Sequence, residues 1–255
     1  MFDTHVHTNF STDSEMTLEE VIRAKEKVNI GVILTEHLDL NFMKPGQFIF
    51  DIDKYFNDYS KFRKDNLLLG VEMGMRMDCI EKNEAISKKY PFDYIIGSIH
   101  VINNMDLYYK DFYVDKSKNE SYSEYLKSML QCIKNYDFVD SLGHIDYICR
   151  YARYEDTELY YEEYSDIIDE ILKVIVEKEK CIEINTRRFE DKKIIDNAIS
   201  IYKRFYELGG KFVTIGSDAH KPQSIGLNYK YAKYVADKCN LNIVYFKNRK
   251  MEYDK

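Results

Sequence analysis

Seven short apolar runs alternate with segments of helical pattern along almost the whole chain, at residues 2–8, 31–37, 67–74, 92–100, 138–144, 181–186 and 211–220. Each is apolar without a polar face, as a parallel strand covered on both sides must be. The segment 17–27 opens with Thr17 and carries Glu20 three residues on, the arrangement of a capping box. Segments 121–135, 158–180, 192–208 and 224–239 repeat apolar residues at three- and four-residue spacing. Gly209 and Gly210 follow the segment 192–208 as a C-terminal cap should. Repeated strand–helix units imply a mostly parallel sheet, either doubly wound or closed into a barrel.

The polar residues choose between the two. All six histidines (His5, His7, His37, His100, His144 and His220) lie in or just after these apolar runs. A doubly wound sheet gathers its site at one switch point, whereas a barrel builds it from nearly every strand end. We therefore expect a (β/α) barrel of about seven strands. With only 10 Gly and 3 Pro, no linker is evident, and residues 1–255 read as one domain.

His5 and His7 are two apart on a strand, so they face the same way and can grip one ion. Asp13 follows in a polar turn and either swings back over the site or simply serves the turn. His37 follows Val32, Ile33 and Leu34. Glu72 lies inside an apolar strand between Gly70 and Gly74, where a carboxylate is costly unless paired or metal-bound. His100 follows Tyr94, Ile95 and Ile96, and His144 follows Leu142 and Gly143. Asp218 and His220 repeat the two-residue spacing with mixed ligands. Each residue alone has an ordinary structural explanation. Together, six histidines and three carboxylates at strand ends form a ligand set for zinc, manganese or iron, and we expect one polynuclear metal site.

Other classes fit poorly. Net charge is -7, with both signs interspersed, so nucleic acid is not an expected partner. Five scattered cysteines without a CxxC pair suggest reduced, structural thiols and a cytoplasmic location. No leader-like segment and no apolar run of about 18–20 residues is seen, so no membrane partner is expected. Phe48, Phe50, Asp51 and Asp53 resemble the strand-plus-DxD of haloacid-dehalogenase-type phosphatases, but that chemistry has no use for six histidines. Asp51 and Asp53 are read as helix-entry residues.

The ordered set of HxH, a following acid, a strand-end His, GxE, SxH, GH and DAH resembles the polymerase-and-histidinol-phosphatase (PHP) superfamily, from residue 2 to residue 220. Further stretches resemble its monofunctional histidinol-phosphatase branch: Phe10 to Ser14, Thr35 to Asp39, Gly143 to Tyr147 followed by Arg150, Glu183 to Arg187, and Gly209 to Lys211. The resemblance implies a distorted seven-stranded TIM-like barrel carrying three divalent transition-metal ions. It places His5, His7, Glu72 and Asp218 on the first ion. Glu72, His100 and His144 take the second, and Asp13, His37 and His220 the third. Asp13 stands where many members carry histidine.

The implied activity is hydrolysis of L-histidinol phosphate, a step of histidine biosynthesis, by in-line attack of a metal-bridging hydroxide. Three divalent ions, offset by Asp13, Glu72, Asp218 and a hydroxide, leave about +2, a match for a phosphate monoester dianion. Asp218, His220 and Arg150 are the candidate catalytic residues. Arg150 is the candidate phosphate clamp, though from sequence alone a surface arginine is an equal reading. Arg187 is a further substrate candidate. Asp39 and Glu36 either bind the substrate's amine or imidazole, or orient His37, the latter being favoured. A PHP-type phosphoesterase or exonuclease acting on another phosphate ester or a nucleotide would use the same ligands.

Overall fold

Apolar runs become strands buried along most of their length in this computed structural model, which describes residues 1–253. In chain order the elements are β1 (Phe2–Val6), α1 (Leu18–Val28), β2 (Gly31–Leu38), α2 (Ile52–Tyr59), β3 (Leu67–Gly74), α3 (Ile80–Lys89), β4 (Ile95–Ser98), β5 (Val101–Ile102), β6 (Met105–Asp106), α4 (Lys118–Asn135), β7 (Ser141–Leu142), α5 (Ser165–Glu177), β8 (Cys181–Asn185), α6 (Lys192–Glu207), β9 (Phe212–Gly216), α7 (Tyr229–Lys238), β10 (Asn242–Lys247) and β11 (Lys250–Tyr253).

Strands β1, β2, β3, β4, β7, β8 and β9 are parallel neighbours in that order. The ring closes just past β9. Val6 bridges Ala219 in parallel. The His7 amide donates to the Ala219 carbonyl at 2.9 Å, and the Ala219 amide donates to the His5 carbonyl at 3.3 Å. The fold is a distorted (β/α)7 barrel of TIM-like type. Two features distort it. β7 has only two residues. The N-terminal half of β9 also pairs with β10, which carries β11 antiparallel at the outer edge.

Local chemistry sets the helix ends. The capping box at Thr17 is present: the Glu20 amide donates to Thr17 Oγ1 at 3.3 Å, and Glu20 Oε2 accepts from the Thr17 amide at 2.8 Å. Asp51 caps α2 by accepting from the Lys54 amide at 2.9 Å, so the Asp51–Asp53 stretch is indeed a helix entry. Gly209 follows α6 at φ +104°, a conformation that costs glycine nothing.

Two helices are shorter than their sequence pattern. α5 starts at Ser165, because a 3-10 turn occupies Tyr161–Glu163 and Glu158 is held by Arg188. α7 starts at Tyr229, after a 3-10 turn at Pro222–Ser224 and Gly226 at φ +70°. α3 has no apolar stripe to announce it, since the helix residues it buries are Asn83 and Ser87. All five cysteines are free and buried. Burial raises the thiols of Cys79 and Cys239 to about 11 and those of Cys132 and Cys149 to about 12, which suits packing rather than chemistry. Among the described residues, no helix is long and apolar enough to cross a membrane.

Candidate metal centre

The register of β2 on β3 sets His37 beside Glu72, and this pair is the middle of the site. Glu72 is fully buried, and its two oxygens divide five imidazoles between them. Oε1 faces His144 Nε2 at 2.8 Å and His100 Nε2 at 3.2 Å. Oε2 faces His37 Nδ1 at 2.8 Å, His5 Nε2 at 3.3 Å and His7 Nε2 at 3.6 Å. Asp218 divides its oxygens too. Oδ1 looks towards His7 Nε2 at 3.4 Å and His5 Nε2 at 3.9 Å, while Oδ2 accepts from Arg150 Nη1 at 2.5 Å. Asp218 holds φ +55°, a left-handed conformation that Asp tolerates better than most residues and that recurs where a site dictates the backbone.

Asp13 does swing back over the cluster. Its Oδ2 lies 3.0 Å from His220 Nε2 and 3.5 Å from His37 Nε2, and its side chain is 38% exposed, so it forms the solvent edge. His7 lies between the groups, its ring 4.3 Å from those of both His37 and His220.

The donor atoms fit cations better than they fit one another. Nε2 of His5, His7, His100 and His220, Nδ1 of His37 and Glu72 Oε2 are buried and take no hydrogen bond among the described residues. Each buried polar atom left this way costs about 1–3 kcal/mol, so a concentration of them in one spot calls for a partner. Groups such as His5–His7–Glu72, Glu72–His100–His144 and His7–His37–His220 keep their ligand atoms within 4.8 Å of each other. Imidazole nitrogens and carboxylates are the donors that transition metals take.

Electrostatics within the cluster are uneven. Burial disfavours the charged form of His37, yet Glu72 and Asp13 raise it to about 10. Burial likewise opposes charge on His5 and His100, but Glu183 and Glu72 raise the first and Asp39 and Glu72 the second. His7 moves the other way, lowered by burial and by His220 and His37. Glu72 and Asp218 are held well below the usual carboxylate range. In both, burial is outweighed, by His5, His100 and His37 for Glu72 and by Arg150 and His5 for Asp218.

A cavity of about 490 Å3 opens above the cluster. Arg150 borders it from the 3-10 turn Tyr147–Arg150, with Nη2 donating to Asn185 Oδ1 at 2.8 Å. Its Nε is buried and takes no hydrogen bond among the described residues. Arg187 reaches in from the rim, its side chain 41% exposed and Nη1 3.3 Å from Asp218 Oδ1.

The PHP domain model matches residues 3–187. The chain belongs to the PHP domain family. This PHP domain is 55% identical over 253 residues to a probable histidinol-phosphatase of Clostridium acetobutylicum, covering 99% of both chains. It is 32% identical to the histidinol-phosphatase of Lactococcus lactis subsp. lactis, covering 99% of this chain and 97% of the relative. The crystal structure of the histidinol phosphate phosphatase of that organism, complexed with zinc, L-histidinol and phosphate, matches with a TM-score of 0.93 at 32% identity, covering 98% of each chain.

Behind the ligand atoms of this PHP domain stands a second layer of buried acids. The sequence joins Glu36 and Asp39 to His37 or to substrate, and the structure redistributes them. Glu36 is fully buried and turned away from the cavity. Its Oε2 accepts from Ser11 Oγ at 2.7 Å, Ser11 Oγ lies 3.0 Å from His7 Nδ1, and Oε1 accepts from Thr8 Oγ1 at 2.6 Å. Glu36 therefore steadies His7 and does not line the cavity. Asp39 borders the cavity, but its oxygens lie 3.0 and 3.2 Å from His100 Nδ1, against 3.9 Å to His37 Nδ1. Asp3 fastens the barrel seam by accepting from the amides of Ser217 and Gly226 at 2.9 and 2.8 Å.

Sequence reasoning assigned no role to Glu183, and it does the most. Oε1 holds His5 Nδ1 at 2.7 Å, and Oε2 accepts from the His144 amide at 2.8 Å. Gly216 makes room for it, because a Cβ there would stand 2.1 Å from Glu183 Oε1. Its signal was a glutamate inside the apolar strand β8, the same signal that marks Glu72. Glu183→Gln is expected to weaken metal binding about 10- to 100-fold with the fold retained, read by competition titration and circular dichroism. Wild-type affinity in the variant would remove that role.

Proposed function

We propose that this PHP domain is a histidinol-phosphatase, hydrolysing L-histidinol phosphate to L-histidinol and inorganic phosphate. The observation that carries the reading is the convergence of unpartnered imidazole nitrogens and carboxylate oxygens beneath an arginine-bordered cavity. The relative crystallised with zinc, L-histidinol and phosphate supports it.

Three divalent ions suit the arrangement, with zinc, manganese and iron all compatible with the donor set. His5, His7, Glu72 and Asp218 would hold the first, Glu72, His100 and His144 the second, and Asp13, His37 and His220 the third. When bound, such ions neutralise phosphate charge and make hydroxide available near neutral pH. The chain's own residues do the rest. Glu72 joins two ligand sets through its two oxygens. Asp218 stays ionised beside Arg150 and keeps Oδ1 aimed at His5 and His7. Arg150 meets the phosphate oxygens from the cavity wall and stabilises charge as the ester bond breaks. Arg187 supplies a second, more exposed positive charge at the rim. His220 donates from Nδ1 to the Asp218 carbonyl at 2.9 Å, so Nε2 is the nitrogen turned towards Asp13 and the one that would meet a cation. It acts first as a ligand, and it can return a proton to the leaving alkoxide only after Nε2 has been freed and has taken up a proton from water.

Phosphate release from L-histidinol phosphate, sugar phosphates and nucleotides tests the proposal. The largest kcat/KM is expected on L-histidinol phosphate. Chelation should abolish it, and added zinc, manganese or iron should restore it. A nucleotide as the best substrate, or turnover resistant to chelation, would overturn the reading.

A further inference from the structure

Beyond the strand ends, backbone pairing no longer fixes where the two cavity arginines sit. β7 pairs with β8 only at Ser141 with Cys181 and at Leu142 with Ile182. Arg150 lies on the 3-10 turn Tyr147–Arg150 that follows β7, and Arg187 opens a turn at 187–190 that follows β8. Among the described residues no backbone hydrogen bond joins these two turns. Two guanidinium groups that share one phosphate must still keep a fixed separation, since a misplacement of about 1 Å can cost about a hundredfold in rate.

Side chains make the connection. Asn185 is one link, its Oδ1 accepting from Arg150 Nη2 at 2.8 Å and from the Arg187 amide at 3.1 Å. Arg188 is the other. It follows Arg187 directly but turns away from the cavity that Arg187 borders. Its side chain is only 13% exposed. Nη1 donates to Asp146 Oδ2 at 2.7 Å, and Nη2 donates to Glu158 Oε1. The planar fork of arginine suits two carboxylates held at once.

The positions of those carboxylates decide what the fork does. The turn carrying Arg150 starts from Asp146, whose carbonyl accepts from the Cys149 amide at 3.0 Å. Glu158 lies past that turn, in the irregular segment that leads to α5. Arg188 therefore grips the segment bearing Arg150 on both sides of the turn. Burial opposes charge on Asp146, but Arg188 and Arg150 hold its carboxyl below the usual range, so the pair stays ionic. The turn that bears Arg188 is anchored separately. Phe189 is buried and its amide donates to the Thr186 carbonyl at 3.0 Å, while Thr186 Oγ1 donates to the Leu227 carbonyl at 2.7 Å. The anchored turn is thus the reference against which the other is placed.

We propose that Arg188 is a positioning residue that, through Asp146 and Glu158, fixes the turn bearing Arg150 against the turn bearing Arg187 and so sets the spacing of the two guanidinium groups at the phosphate. The inference rests on the phosphatase reading, in which those two groups meet the phosphate.

Arg188→Lys is the first test, because it keeps the charge but lacks the fork that spans two carboxylates. Arg188→Met removes the charge as well. Inorganic phosphate binding to the metal-loaded proteins is measured by calorimetry, beside kcat/KM on L-histidinol phosphate. Each change is then repeated in an Arg150→Ala background. Arg188→Lys should weaken phosphate binding and lower kcat/KM about tenfold with metal content unchanged, the scale of a displacement below 1 Å. In the Arg150→Ala background the same change should shift phosphate affinity by less than about twofold, since effects that run through one residue do not add. A role in stability alone would lower Tm and leave phosphate affinity untouched, and a role as a distant charge would persist without Arg150. Wild-type phosphate affinity in both Arg188 variants, or a loss that persists in the Arg150→Ala background, would overturn the assignment. Should Arg188→Met fail to fold, Arg188→Lys decides alone. A wild type that binds phosphate without hydrolysing L-histidinol phosphate would fell the functional reading, and the phosphate comparison would still decide the role of Arg188.

Discussion

Glu72→Gln should strip the chain of metal and of turnover together, with kcat down by at least about three orders of magnitude. The variant changes almost no volume. It removes one negative charge and replaces an acceptor oxygen with an NH2 group that only donates. Whichever way the amide turns, that group faces imidazole nitrogens. One side carries His100 and His144, and the other His5, His7 and His37. One oxygen proposed to hold metal is lost outright, and the side chain can no longer join the two proposed ligand sets. The surrounding strand is apolar and packed by backbone pairing with β2 and β4, so circular dichroism should show the barrel intact. Elemental analysis alongside phosphate release checks the result. Full metal content with full turnover in the variant would sink the central role given to Glu72.

The parts of this site that were legible in the sequence share one property: they interrupt a strong local pattern. Seven apolar runs mark the seven barrel strands, and a histidine or acid at the end of such a run is conspicuous. β4 and β7 are shorter than their apolar runs because the chain leaves the sheet before His100 and His144, and apolarity does not report where pairing stops. β10 and β11 lie at the outer edge with several exposed residues, so they lack the continuous apolar signature of the barrel strands. The acids behind the histidines were harder to place. Glu36 and Asp39 flank His37 in sequence, but alternation along β2 turns Glu36 away from the cavity, where Ser11 relays it to His7. Which histidine a buried acid serves depends on neighbours from other strands, and no local pattern carries that information.

Arg150→Ala should lower kcat/KM on L-histidinol phosphate by about a hundredfold or more while the metal stays bound. Two charge-assisted hydrogen bonds to phosphate, at about 1.5–3 kcal/mol each, set that scale. A different role is visible in the structure, because Arg150 also holds Asp218 through Nη1 and Asn185 through Nη2. If holding Asp218 were its whole function, metal content would fall in the variant and turnover per bound metal would not. The two roles therefore separate in one titration. Stability separates them further. Arg150 and Asp218 side chains are 7% and 3% exposed, and removing one partner of such a buried pair costs about 3–5 kcal/mol by leaving the other charge uncompensated. In the metal-free variant that cost should appear as a lowered Tm. Cations at the cluster would supply the missing positive charge to Asp218, so metal should raise the variant's Tm by more than it raises the wild type's. A variant that regains stability with metal but not turnover would place Arg150 at the phosphate; one that regains both would confine it to holding Asp218.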